Sequence, residues 1–121
     1  MQIQPLEVIF VHDRLIRPPG PKMMVCVEPD LGFFFRINTK GHWPASILIE
    51  KRSNPFLHHD SYLQCSELIE LDEFVVDEIL DEKGLYGELD NSYAAAICSM
   101  LDSISTIRQS DKDAIRQCLG D

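Results

Sequence analysis

Lys22-Met23-Met24-Val25-Cys26-Val27, then Glu28-Pro29-Asp30-Leu31-Gly32, then Phe33-Phe34-Phe35-Arg36-Ile37-Asn38-Thr39: this stretch decides the fold class. Its two outer segments are dense in β-branched and aromatic side chains, which suit a pleated, packed surface better than a helix. The middle segment joins them with proline, aspartate and glycine, residues that turn a chain by fixing φ, bonding the local backbone or accepting positive φ. Two strands with a tight, hairpin-like connection are expected.

Working outward, residues 6–11 (LEVIFV) form another apolar run, closed by His12-Asp13-Arg14, and read as a buried strand. Arg17-Pro18-Pro19-Gly20-Pro21 is expected to be a loop, because three prolines lack backbone donors. Downstream, Lys40-Gly41-His42-Trp43-Pro44 reads as a turn and residues 47–49 as a fourth short strand, leading to a charged bend at Glu50-Lys51-Arg52. The second half is less uniform. Residues 66–80 place Leu68, Leu71, Val75 and Ile79 at helical spacing, yet Phe74-Val75-Val76 favours a strand, so local propensity leans helical without deciding. Asp90-Asn91-Ser92 offers capping oxygens ahead of a helix over residues 93–104, with Tyr93, Ile97, Met100, Leu101 and Ile104 on one face. A second short helix is expected from Ser110-Asp111, with Ala114, Ile115, Cys118 and Leu119 on one face and Gly120 ending it.

The 121 residues suffice for one domain, 1–121, with a single core, and 45% apolar against 26% charged residues is an ordinary globular balance. No run approaches the ~18 apolar residues of a membrane helix, and none resembles a signal-peptide core, so a cytoplasmic location is expected. Cys26, Cys65, Cys98 and Cys118 are widely spaced and read as reduced thiols. The net charge of −9 is unevenly distributed: residues 1–60 balance to +1 and residues 61–121 to −10. All four histidines also lie in the first half, so an anion site belongs there and a general nucleic-acid coat is disfavoured.

The order of these segments resembles the PemK/MazF toxin family over almost the whole chain. The residues that carry the likeness are the LEVIFV strand, the proline-rich loop, Lys22-Met23-Met24-Val25, the strand ending in Asn38-Thr39, the passage Pro55-Phe56-Leu57 to Asp60-Ser61-Tyr62-Leu63, ELIELD over residues 67–72, and Gly87-Glu88-Leu89 before two short helices. The resemblance implies an α+β fold, an SH3-like β-barrel with two short C-terminal helices. It implies a homodimer that cleaves single-stranded RNA in a groove, needs no cofactor, and is occluded by a protein antitoxin. It also implies that residues 61–82 are largely strand, with a short helical turn near residues 67–71.

Metal-independent cleavage by 2′-OH attack needs a group to take the proton, a group to hold the charged phosphorane, and a group to protonate the leaving oxygen. By the resemblance, Lys22 stands where the family carries an arginine and would neutralise the phosphate, while Thr39 would bond a phosphate oxygen or orient the lysine. Lysine for arginine replaces a bidentate clamp by a point charge, so a non-catalytic relative serving as an interaction or dimerisation module is the alternative. His12 and Asp13 are further acid–base candidates, and Arg14 beside them could meet RNA, although such a cluster is more often turn chemistry. Phe33-Phe34-Phe35, Arg36 and Trp43 could stack and pair with bases, but alternation sends Phe34 opposite to its neighbours and makes core filling the commoner role. Trp43, on a turn, is the better exposed aromatic. His58 and His59 point to opposite sides of an extended chain, and no metal site is expected there. The acidic run over residues 67–81 reads as a solvated face that would repel RNA or attract a basic partner.

Overall fold

A computed structural model describes residues 2–120. Its frame is an antiparallel sheet of six strands curled into a half-barrel, with three helices: an α+β architecture. The strands are β1 (Glu7–Asp13), β2 (Gly20–Glu28), β3 (Phe33–Asn38), β4 (Ser46–Ile49), β5 (Ser61–Glu70) and β6 (Gly87–Glu88), and the spatial order is β4-β5-β3-β2-β1-β6. The β2–β3 hairpin stands where the sequence places it. The proline segment differs in part, because Gly20 and Pro21 already belong to β2, opposite Asp13 and His12.

The central strands are apolar on both faces because both are covered. One face carries Val8, Val25, Val27, Phe35 and Leu63 beneath α2 (Tyr93–Leu101) and α3 (Gln109–Leu119), which contribute Ile97, Leu101 and Ile115. The other carries Ile9, Val11, Met24, Cys26, Phe34 and Ile69 beneath α1 (Glu73–Glu82), which contributes Val76 and Leu80. Burial of this kind stabilises by roughly 25 cal/mol per Å² of apolar surface. It pushes the Cys26 and Cys65 thiols up to about 12, and both cysteines are inert core residues.

The expected helical turn at residues 67–71 is not there. β5 runs through Glu70, and the helix starts at Glu73, because Asp72 accepts the Phe74 amide at 2.8 Å as N-cap while Val76 and Leu80, four apart, reach the core together. The propensity of residues 73–82 decides there, against the strand expectation. Before α2 the Asp90 carboxylate folds back on Ser92 instead of capping the helix, which ends at Leu101, short of Ile104. Gly87 is required where β6 passes Phe56, since a Cβ would lie 2.4 Å from the ring.

Candidate functional site

The α1-side face of the sheet is half apolar and half polar. Ile9, Met24, Arg36, Gln64 and Ser46 oppose one another in one row across β1, β2, β3, β5 and β4. The row changes character at β3. Arg36 is 3% exposed, and its guanidinium donates to the buried Asp13 carboxylate and to Glu67. Asp13 also accepts the Leu15 amide at 3.0 Å. Burial opposes its charged form, but the bonds from Arg36 and Leu15 and the charges of Arg36 and Lys22 outweigh it and hold the carboxyl below its usual range.

Glu67 reaches Arg36 through a break in register: Phe34 pairs with Ile69, but Arg36 pairs with Gln64, so β5 carries extra residues opposite β3. Asn38 Nδ2 donates to Gln64 Oε1 at 2.8 Å, and Gln64 Nε2 donates to Ser66 Oγ at 3.2 Å. Thr106 Oγ1 donates to the Ser66 carbonyl at 2.6 Å, tying the α2–α3 loop to β5. Among the described residues no buried side-chain nitrogen or oxygen lacks a partner.

Lys22 is half-buried on β2 opposite Val11, and alternation puts it on the face of Asp13 and Arg36. Burial lowers its ammonium pKa below the ordinary lysine value, the charge of Arg36 acts the same way, and Asp13 opposes both. Continuing the β2–β3 register past its last pair, Met24 with Arg36, sets Lys22 level with Asn38, one residue before Thr39. Thr39 is exposed just beyond β3, and its hydroxyl makes no hydrogen bond among the described residues.

The structure thus gathers Lys22, Asp13 and Arg36 on one face, with Thr39 at the same end of the sheet. His12 is exposed, and alternation turns it to the opposite face from Asp13; Arg14 is exposed just past β1. Trp43 is 47% exposed, with its ring centroid 4.9 Å from that of His42. It lines a groove of about 640 Å³ with Gln64, Ser66, Glu67 and Arg108. Glu67 therefore links the buried network to an open groove. Of the phenylalanine run, all three rings are buried, so none is a stacking platform. His58 contacts the Tyr86 hydroxyl at 3.4 Å, His59 the Asp60 carbonyl at 2.8 Å, and among the described residues no three His, Cys, Asp or Glu side chains group to hold a metal.

Sequence reasoning missed Glu67, Asn38, Gln64 and Ser66 as members of this network. The polar Gln64 and Ser66 alternating with Leu63 and Cys65 were the available signal, since period-two polarity in a strand marks a polar face. No helix is long and apolar enough to cross a membrane among the described residues. Comparison of the chain with protein-family models and with curated proteins finds no match.

Proposed function

We propose that the chain is a divergent PemK/MazF-like toxin with an SH3-like barrel, a metal-independent endoribonuclease acting on single-stranded RNA. The observation that supports this reading most is the position of Lys22, a partly desolvated cation on the polar face with Asp13 and Arg36, beside the strand end that carries Thr39. A half-buried ammonium interacts more strongly with a phosphate than a fully solvated one.

In this reading the ribose 2′-oxygen forms a bond to the adjacent phosphorus as the bond to the 5′-oxygen breaks. The 2′-hydroxyl proton leaves to a base and the 5′-oxygen gains one, giving a 2′,3′-cyclic phosphate and a 5′-hydroxyl. Lys22 neutralises the phosphorane, Thr39 donates to one of its oxygens, and Asp13, held by Arg36, positions the Lys22 ammonium. Arg14 meets the backbone and Trp43 stacks a base. The partners of this reading are a second copy of the chain and a protein antitoxin.

A 5′-labelled single-stranded RNA incubated in EDTA tests it. Cutting by the wild type and by Lys22→Arg is expected, with none by Lys22→Ala of unchanged circular dichroism. No cutting by either the wild type or Lys22→Arg overturns the reading. A second reading, a non-catalytic interaction module, is favoured by the saturation of the network, in which Asp13 and Arg36 already satisfy each other. The same assay separates the two.

A further inference from the structure

At the far end of the sheet a groove of about 730 Å³ opens between α1, the β2–β3 turn and the N-terminal segment. Apolar side chains underlie a largely polar lining: Ile3, Phe34 and Val76 are buried, Leu71 is half-buried, and Leu31 is 48% exposed. Beside the groove, on α1, Phe74 stands 83% exposed. Helical spacing puts Phe74 on the same face as Asp77 and Asp81, which line the groove. Leu31 thus lines the groove and Phe74 stands at its edge, and a helix exposing a phenylalanine to this extent leaves much apolar area in water.

The charge around that apolar surface defines the occupant. Asp30, Glu70, Asp72, Glu73, Asp77 and Asp81 line the groove, and no lysine, arginine or histidine does. None of the six forms an ion pair among the described residues. RNA and any acidic segment are repelled here, while a cationic segment lowers the repulsion among the carboxylates and can seat an apolar side chain against Leu31, Leu71 and Phe74.

We propose that this groove docks a basic segment of a partner protein, one that alternates lysine or arginine with large apolar anchors. The groove lies at the opposite end of the sheet from Lys22, and its occupation does not depend on RNA cleavage.

The test is fluorescence polarisation of a labelled peptide of alternating lysine and leucine against the full chain. A lysine–glycine peptide and a glutamate–leucine peptide serve as controls. Binding of the lysine–leucine peptide is expected, weakened about tenfold between roughly 50 and 300 mM salt. Asp77→Lys with Asp81→Lys should weaken it by about tenfold or more, whereas Glu82→Lys with Glu88→Lys, the same charge change outside the groove, should leave it within about twofold. Phe74→Ser, at an exposed position that the fold tolerates, should cost about fivefold.

Equal binding by both charge-reversed pairs, equal binding of the lysine–glycine peptide, or no binding overturns the proposal. So does salt-sensitive self-association abolished by the Asp77 and Asp81 changes, which would assign the groove to the Arg14-Leu15-Ile16-Arg17 segment of a second copy.

Discussion

The two ends of the sheet are built from the same four strands and have opposite character. At one end, where β1 and β3 finish and β2 begins, Arg14, Arg17, Lys22 and Lys40 gather, and the buried carboxylate among them, Asp13, is paired with Arg36. At the other end, where β2 and β5 finish, Glu28, Asp30, Glu70, Asp72 and Glu73 gather with no lysine or arginine. An antiparallel meander produces this separation because each hairpin returns the chain to the same end, so charges clustered in alternate loops add in space. At the first end the Asp13 carboxylate is paired and internal while Arg14, Arg17 and Lys40 face solvent; at the second, Asp30, Glu70, Asp72 and Glu73 are exposed and form no ion pair among the described residues. The first arrangement can hold an anion at a fixed point, the second can attract a cationic surface over a broad one.

The largest effect should come from breaking the internal pairing. Asp13→Ala should cost about 3–5 kcal/mol in urea unfolding, because Arg36 is left charged and buried with only Glu67. Asp13→Leu with Arg36→Met should recover most of that loss. Asp13 has a folded pKa below its unfolded value, so its contribution is present above about pH 4 and lost as the pH falls through the folded value. Urea midpoints of the wild type should fall in that acid window, and Asp13→Ala should lack this component.

Next, Gly32→Ala should cost roughly 1–3 kcal/mol in the same measurement, since φ is +70° and a Cβ would lie 2.3 Å from the Leu71 carbonyl oxygen. That substitution deforms the acidic end, so any activity that depends on Lys22 should survive it. Lys22 sharpens the contrast through pH: burial and Arg36 lower its pKa, so any activity that needs its ammonium should fail on the alkaline side below the ordinary lysine value of 10.5. A rate profile of the wild type against Lys22→Arg measures this, the arginine variant holding its rate to higher pH. The smallest effect belongs to the unpaired end, where Asp77→Lys should raise the melting temperature by roughly 1–3 °C at low salt and by less at high salt.

Strand identity was legible wherever side chains were apolar on both faces. Residues 8–11, 23–27 and 33–35 have no reasonable alternative to buried β-structure, because they are continuous apolar runs covered on both faces. Residues 61–82 were legible only in part. Leu63, Ile69, Val76 and Leu80 all end in cores, but one pair does so from a strand and the other from a helix. Apolar spacing alone does not separate those outcomes when an Asp72 cap intervenes. Of the site, Lys22 and Arg36 were identifiable as polar residues at strand positions, whereas Asp13 read as turn chemistry past a strand that in fact runs through it, and Glu67 as part of an acidic run. Its contact with Arg36 depends on the β5 bulge, a long-range register that no local pattern encodes.

Composition and apolar patterning alone therefore determine that this chain is a small α+β domain with its positive charge early and its negative charge late. Those properties follow from residue type and short-range spacing, which water reads directly. Tertiary structure decided which charges meet: that Arg36 is held by Asp13 and Glu67, that Lys22 is half withdrawn from water beside them, and that six carboxylates line one groove with Leu31 and Leu71. Such meetings join residues far apart in the chain, and their energy depends on burial and register, quantities that exist only once the sheet has closed.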